Sequence, residues 1–196
     1  MSSKPQGTDR RHRLYWTIMN LRDDFSFEAL RLISSIHWDS REKEMVRQWR
    51  NDDTIRQWMY HDHHITPEEH DKFLVDLATS PTKFLWLGKD HNGRYLGIVS
   101  LSRVDLTNKN GYIGIYTRPD LKIWGTGQLI LKTIKELAFD TIGLHTLRVE
   151  TMETNENALR LYRKLGFEEE GRLKEYVHKE GCWHSVIVLS IINKRD

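Results

Sequence analysis

Hydrophobic residues in the second half of the chain recur at helical intervals in one long stretch. The positions that follow one another at steps of three or four are Leu129, Ile130, Thr133, Ile134, Leu137 and Ala138. This spacing places them on one face of an amphipathic helix. A second helix is predicted over residues 155–165, because Gly166 follows it in the position of a left-handed C-terminal cap.

Runs of apolar and β-branched residues bounded by turn residues predict strands. They lie at residues 29–38, 83–89, 94–103, 110–117, 144–152, 167–178 and 183–192. Three helices are predicted between the first two strands. One runs from Asp39 or Ser40 to about Arg50, and a short one carries Ile55, Trp58 and Met59. The third starts at Thr66-Pro67, which is a capping residue followed by a favoured first-turn proline, and turns Phe73, Leu74 and Leu77 inward.

This order of elements indicates an α+β fold. It has a mixed, mostly antiparallel central sheet of about seven strands, flanked by helices. A length of 196 residues favours one domain, which we place at residues 29–196. Residues 1–28 are interpreted as an N-terminal extension or tail.

Composition excludes several classes of protein. Hydrophobic residues make up 38% and charged residues 30% of the chain, and no apolar run approaches the roughly 18 residues of a transmembrane helix. A net charge of +2 is too small to indicate nucleic-acid binding. The N-terminus lacks the apolar core of a signal peptide, and the single Cys182 cannot form an intrachain disulfide. We therefore expect a cytoplasmic protein with no membrane or nucleic-acid partner.

A short glycine-containing segment, Lys122-Ile-Trp-Gly-Thr-Gly127, lies between a predicted strand and the start of the long helix. The first amides of a helix have no internal partner, and the helix dipole adds partial positive charge there. Glycine lets an anion approach the backbone closely. The segment is therefore a candidate pyrophosphate site, although by itself it is also compatible with an ordinary turn.

A second motif makes the interpretation more specific. Asn155, Ala158, Tyr162, Gly166 and Phe167 stand in the register Asn-x-x-Ala-x-x-x-Tyr-x-x-x-Gly-Phe. Together with the glycine segment, this pattern resembles the GCN5-related N-acetyltransferase (GNAT) family. The family's loop begins with Gln or Arg, where this chain has Lys122, which is charged but lacks the planar fork of arginine.

The resemblance implies the GNAT fold and transfer of an acetyl group from acetyl-CoA to an amine, with no metal. By this resemblance two neighbouring strands splay apart beside a bulge, and the pantetheine arm lies between them. Gly114 suits either that bulge or a close approach of backbone, rather than a simple weak point in the strand. The implied acetyl-CoA contacts are Ile115, Tyr116, Thr117, Lys122, Trp124, Gly125, Thr126, Gly127, Gln128, Asn155, Ala158 and Tyr162.

Acetyl transfer requires a neutral amine, donors for the oxyanion and a proton for the leaving thiolate. The resemblance places Tyr162 near the CoA sulfur as general acid, and the alternative is a tyrosine that only packs the core. Glu150 is a candidate base or substrate ligand, unless it forms a salt bridge with Arg148 or another cation. Ser100 is a candidate proton relay, with an ordinary polar strand residue as the alternative.

The strand Leu144-His-Thr-Leu-Arg-Val-Glu150 and the stretch Glu170-Gly-Arg-Leu-Lys174 narrow the comparison within the family. With them, the chain from about residue 40 to 192 resembles the N-acetyltransferases of pseudaminic acid biosynthesis. Those enzymes act on the 4-amino group of UDP-4-amino-4,6-dideoxy-N-acetyl-β-L-altrosamine. The resemblance implies a nucleotide-sugar substrate that contacts Arg50, Met59, Tyr60, His70, Phe73, Tyr112, Tyr116 and Glu150. The alternative for Trp58, Met59 and Phe73 is that they pack the core of short helices.

Other acceptors and roles stay open at this point. Acetyltransferases of ribosomal-protein N-termini share features such as Phe84-Leu-Trp86-Leu-Gly88, and another small amine is a further alternative. A CoA-binding domain without chemistry is a different class, which the intact Tyr162 and Asn155 argue against. His61-Asp-His-His64 is interpreted as a polar loop, since adjacent histidines lack the ligand spacing of a zinc site. The sequence allows a homodimer without indicating one.

Overall fold

The computed structural model describes residues 20–194, and its central feature is a mixed sheet of eight strands. The strands are β1 (Phe25–Ser26), β2 (Arg31–Ser34), β3 (Phe84–Lys89), β4 (Tyr95–Asp105), β5 (Asn110–Thr117), β6 (Thr146–Met152), β7 (Glu168–Lys179) and β8 (Cys182–Ile192). Their order is β1-β2-β3-β4-β5-β6-β8-β7, and only β5 and β6 pair in parallel. The α+β class is confirmed. The additional strand is β1, whose two residues are too few to show a hydrophobic pattern.

Within residues 20–194, five α-helices flank the sheet. They are α1 (Ser40–Asn51), α2 (Asp53–Arg56), α3 (Pro67–Thr79), α4 (Thr126–Glu136) and α5 (Glu156–Lys164). After α4 the chain continues through π-helical turns over Leu137–Ile142. No helix within residues 20–194 is long and apolar enough to cross a membrane.

Side-chain caps fix where α1 and α3 begin. The Asp39 side chain accepts from the Glu42 amide, and Thr66 accepts in the same way from Glu69. In both helices the glutamate side chain also accepts from the backbone amide of the cap residue. These reciprocal capping boxes satisfy amides that the first turn leaves without partners. The predicted helix starts are therefore correct.

The short helix α2 ends earlier than predicted. It stops at Arg56, so Trp58 and Met59 lie beyond it. The cause lies far away in sequence, because the buried Lys179 ammonium of β7 donates to the carbonyls of Arg56, Gln57 and Met59. The Lys179 ammonium thereby satisfies carbonyl groups at the end of α2 and just after it.

The core lies on both faces of the sheet. On one face α4 buries Ile130, Leu131 and Ile134 completely, together with residues of α5. On the other face α1 and α3 pack Trp49, Leu74 and Leu77 against the sheet. The first predicted strand, residues 29–38, is shorter in the structure because residues 35–37 form a 3₁₀ turn.

The inward direction predicted for Phe73 is wrong. Its side chain is 47% exposed, whereas Leu74 and Leu77 of the same helix are buried as predicted. Phe73 stands at the edge of the apolar face of α3. The predicted boundary between residues 28 and 29 remains a prediction, and most of the proposed tail lies outside the described residues.

Candidate active site

The site begins where two neighbouring strands separate. β5 and β6 pair only from Asn110↔Thr146 to Tyr112↔Arg148. Beyond that point β5 keeps its partners on β4, as far as Thr117↔Gly97, but has none on β6. Residues 113–117 therefore present one backbone edge to an open wedge. Unpaired strand edges of this kind can bond an extended ligand.

Gly114 lies in this wedge, but it is not a bulge. It pairs in register with Ser100, and a Cβ atom at Gly114 would lie 2.6 Å from the Ser100 Oγ. The Ser100 hydroxyl donates to the Gly114 carbonyl at 3.2 Å. The Ser100 hydroxyl approaches so closely that a side chain at residue 114 would clash with it, which explains the glycine. The irregularity of β4 and β5 falls instead between Ser102 and Asp105.

A cavity of about 600 Å³ opens from the wedge toward α1 and α3. It joins residues from strands, helices and the loop before α3, which are distant in sequence. Of the predicted site residues, those that line it are Arg50, Met59, His70, Phe73, Ser100, Ile115, Tyr116, Glu150, Asn155, Ala158 and Tyr162. The structure thus brings the general-acid candidate and six of the eight acceptor-binding candidates to one cavity, while Tyr60 and Tyr112 lie outside it.

Tyr162 of α5 is almost completely buried at the cavity wall. Its ring packs at 5.6 Å from the ring of Phe167, as the core-packing alternative expects, and the residue also lines the cavity, so the general-acid role stays a prediction. Within residues 20–194 its hydroxyl has no hydrogen-bond partner. Burial raises the pKa of Tyr162 above its ordinary value, so the hydroxyl stays protonated far into the alkaline range.

Asn155 caps α5 and also lines the cavity. Its side-chain oxygen accepts from the Ala158 amide at 3.2 Å. The cap uses the oxygen and leaves the side-chain amide group to donate. Helix capping and ligand binding are therefore compatible at Asn155.

Glu150 is held at both of its oxygens. Oε1 accepts from the Arg103 guanidinium at 2.7 Å, and Oε2 accepts from the Tyr60 hydroxyl at 2.9 Å. The alternative predicted for Glu150, a salt bridge with Arg148 or another cation, is therefore present with Arg103, whereas Arg148 pairs with Glu170. Burial and the bond to Glu150 raise the pKa of Tyr60. Tyr60 does not line the cavity, but its hydroxyl bonds to Glu150, which does.

Arg50 places a cation in the apolar part of the cavity. Its half-buried guanidinium has no hydrogen bond or ion pair to any residue between 20 and 194, and desolvation lowers its pKa. Tyr116 lies nearby. Burial raises the pKa of Tyr116, and the charge of Arg50 partly offsets this. An arginine nevertheless stays charged in proteins, so this cation lacks a counter-ion among residues 20–194.

His70 is buried to 5% exposure and stacks on Phe73 with ring centroids 6.4 Å apart. Desolvation lowers the pKa of His70, so its imidazole is neutral at neutral pH. His61, His63 and Glu69 also line this end of the cavity. The sequence predicts only a polar loop for the two histidines, and Glu69 belongs to the capping box of α3.

The glycine loop lies outside the cavity, at the start of α4. Gly125 has φ +86° and is the N-cap residue, so no side chain satisfies the first amides of the helix. Lys122 is exposed, and Trp124 is 91% exposed with the Lys164 ammonium 5.5 Å from its ring centre. Open amides next to two lysines fit a pyrophosphate. Thr126, Gly127 and Gln128 complete this loop, with Gly127 packed near Leu161.

Two predicted contacts fall beside the cavity. Tyr112 stands where β5 still pairs with β6, and its ring lies under the Arg103 guanidinium at 4.5 Å. Thr117 ends β5, near the glycine loop, where it pairs with Gly97. Among residues 20–194, no group of three or more His, Cys, Asp or Glu side chains is arranged to hold a metal ion.

Comparison with known proteins agrees with this geometry. Residues 40–188 match the family described as Acetyltransferase (GNAT) domain. The chain is 31% identical to Acetyltransferase PseH of Campylobacter jejuni over 141 residues, which is 71% of this chain and 85% of that protein.

Two solved structures show a similar fold. Spermidine N-acetyltransferase from Vibrio cholerae in complex with CoA and spermine has a TM-score of 0.76 and 18% identity, over 83% of this chain and 95% of that one. Ribosomal-protein-S5-alanine acetyltransferase from Vibrio fischeri has a TM-score of 0.71 and 23% identity, over 88% and 97%. The chain is therefore an acetyltransferase of the GNAT family.

Proposed function

We propose that this enzyme transfers the acetyl group of acetyl-CoA to the 4-amino group of UDP-4-amino-4,6-dideoxy-N-acetyl-β-L-altrosamine, in pseudaminic acid biosynthesis. Members of its family use acetyl-CoA, and the likeness to Acetyltransferase PseH spans most of both chains. The chemistry of the cavity supports an acceptor of this kind.

The observation that carries the proposal is the Arg50 guanidinium in the cavity. A desolvated cation without a partner is unfavourable, and an anionic ligand would compensate it. The diphosphate of a UDP-sugar supplies such an anion, while Phe73 and Met59 offer apolar contacts to a uracil or a deoxy-sugar. A polyamine, being cationic, would be repelled at the same position.

For acetyl-CoA, the residues present would provide a binding path. The open amides at the start of α4, with Lys122, would hold the pyrophosphate. The wedge between β5 and β6 would take the pantetheine arm along the backbone of Ile115–Thr117. Amides on that edge would also polarise the thioester carbonyl. The path ends at Tyr162.

The reaction forms a bond from the amine nitrogen to the acetyl carbon and breaks the carbon–sulfur bond. The amine must lose protons, and the thiolate gains one. Tyr162, kept protonated by burial, would protonate the thiolate. Glu150 lies on the acceptor side of the wedge and would orient the amine or take its proton, directly or through water. Ser100 is a further candidate to relay that proton.

Replacement of Arg50 by methionine tests the anion-binding role. We expect KM for the UDP-sugar to rise about tenfold or more, because a charged hydrogen bond to the phosphate is lost. KM for acetyl-CoA should stay within about twofold. The matched control is Arg41→Met on the exposed part of the same helix, which should change neither constant. Steady-state thiol release measures both.

The acceptor itself provides a second control. A 4-amino sugar that carries a methyl group instead of the nucleotide should be a poor substrate, and Arg50→Met should not weaken it further. An equal loss for both acceptors would show that Arg50 does not recognise the nucleotide, and would remove the main support for a nucleotide-sugar.

A further inference from the structure

Arg103 stands at an irregularity in β4, next to the wedge. The pairing of β4 with β5 is regular down to Ser102↔Tyr112 and resumes at Asp105↔Asn110. Two residues of β4 therefore oppose the single Gly111 of β5, which makes a β-bulge. Arg103 has φ +49°, a left-handed conformation that is unfavourable for any residue with a side chain.

The bulge changes the direction of every side chain that follows it. Val99 and Leu101 point into the main core, and strict alternation would send residue 103 there as well. Instead Val104 takes the next core position, at 6% exposure. Arg103 is thus the inserted residue, and its side chain stands on the face that carries Ser102 and Tyr112.

Arg103 reaches across β5 to the site. Its guanidinium lies over the Tyr112 ring, 4.5 Å from the ring centre, and donates to Glu150 Oε1 at 2.7 Å. The other oxygen of Glu150 accepts from Tyr60, in the segment that follows α2. Glu150 has three rotatable side-chain bonds, and one contact would leave it free to swing. Two contacts on opposite oxygens hold the carboxylate in one orientation.

We infer that Arg103 is a positioning residue for acetyl transfer, which acts through Glu150. The inference rests on the proposed function. Arg103 aims the carboxylate at the acceptor end of the wedge and, through Glu150, fastens Tyr60 to the sheet. The carboxylate oxygens keep lone pairs for the acceptor amine, since each can accept more than one hydrogen bond. The strained bulge is what allows an arginine of β4 to reach this point.

A neighbouring ion pair serves as a control. Its removal shows what the loss of an ordinary surface salt bridge does to activity, as distinct from the loss of a positioning residue. Arg148 of β6 pairs with Glu170 at 2.8 Å, and neither residue lines the cavity. Arg148→Met removes a similar ion pair on the strand that also carries Glu150. It is the matched control for Arg103→Met, which keeps the length of the side chain and removes its charge.

The decisive measurement is a double-mutant cycle. Arg103→Met should lower kcat with the acceptor about tenfold, leave KM for acetyl-CoA within about twofold, and be partly rescued by Arg103→Lys. In a Glu150→Gln background the same substitution should have an effect of less than about twofold, because its partner is already altered. Arg148→Met should match the wild type. If the losses from Arg103→Met and Glu150→Gln multiply, Arg103 does not act through Glu150 and the inference is wrong.

The exchange rates of backbone amide hydrogens test the same inference without any acceptor substrate. In Arg103→Met the backbone amides of residues 57–62 should exchange faster than in the wild type, and in Arg148→Met they should not. Unchanged exchange in both variants would contradict the fastening of Tyr60. If the wild-type protein does not acetylate the UDP-sugar, the proposed function fails, while the cycle with any accepted amine and the exchange rates still decide the role of Arg103.

Discussion

Tyr162 packs in the core and also lines the cavity at which we propose acetyl transfer. Its ring packs on Phe167, while its hydroxyl has no partner within residues 20–194 and stays protonated through burial. The structure thereby separates the packing part of the side chain from the part that can donate a proton. A substitution that removes only the hydroxyl can therefore test the chemistry alone.

Tyr162→Phe should lower kcat at least about tenfold, because the thiolate loses its proton donor, while acetyl-CoA affinity stays within about twofold. Steady-state kinetics and calorimetric titration measure the two quantities. The control is Tyr95→Phe, whose hydroxyl bonds to Glu42 outside the cavity, and it should leave turnover unchanged. Full activity of Tyr162→Phe would remove the general-acid role.

His70 makes the stability of the fold depend on pH. Desolvation lowers its pKa in the folded protein below the ordinary value of about 6.5. The unfolded chain thus binds the proton more readily. The contribution of neutral His70 is complete above pH about 6.5 and is lost as pH falls through the lowered pKa of the folded state.

His70→Gln should therefore flatten the pH dependence. Below pH about 6.5 the free energy of unfolding of the wild type should fall more steeply than that of the variant. Urea unfolding at a series of pH values measures both. Parallel curves for the two proteins would show that His70 is not the group whose protonation opposes folding.

Some candidate site residues can be identified from the sequence and others cannot. The difference is whether the residues that identify them lie close together along the chain. Tyr162 and Asn155 stand in a fixed register on one helix, so a motif identifies them. Arg103 escapes such reasoning, because a bulge breaks the alternation that predicts side-chain direction. His61 and His63 come to the cavity only through the path of the chain between α2 and α3.

At the scale of elements, the start of α4 tests the pyrophosphate site. Gly125 has φ +86° and open space where a Cβ would stand. Gly125→Val should weaken acetyl-CoA binding at least about tenfold, because a β-branched residue is strained at positive φ and its side chain would stand over the open amides. Titration with CoA measures the change.

Gly143 offers a control of the same kind for that substitution. It also caps a helical segment and has φ +79°, and a Cβ atom added there would meet no other atom within 4 Å. Gly143→Val should lower the free energy of unfolding by a few kcal/mol at most, as Gly125→Val should, and should leave CoA affinity unchanged. An equal effect of both variants on affinity would mean that backbone strain, not the loop, accounts for the loss.

Element boundaries are predictable where local chemistry sets them. The capping boxes of α1 and α3, and Gly166 with φ +88° after α5, follow from residues within a few positions. The end of α2 depends on Lys179, more than a hundred positions away in sequence. Such a long-range contact leaves no pattern in the segment that it shapes.

At the scale of the molecule, the proposed function depends on a break in the sheet. β5 and β6 separate after Tyr112↔Arg148, and the cavity that holds Arg50 opens from this wedge. The α+β class followed from the order of elements, and the family motifs implied the splay. The size of the cavity and the neighbours of Arg50 depend on how α1, α3 and the sheet pack, which no local pattern encodes.

The most direct test of the proposed acceptor is thiol release from acetyl-CoA with three acceptors in parallel. They are the UDP-4-amino-4,6-dideoxy sugar, a ribosomal-protein N-terminal peptide, and spermidine. We predict turnover with the UDP-sugar and little with the other two, since of the three acceptors the sugar alone carries a diphosphate that could bind Arg50. Turnover with the peptide or spermidine, and none with the sugar, would contradict the proposed acceptor while leaving the family assignment in place.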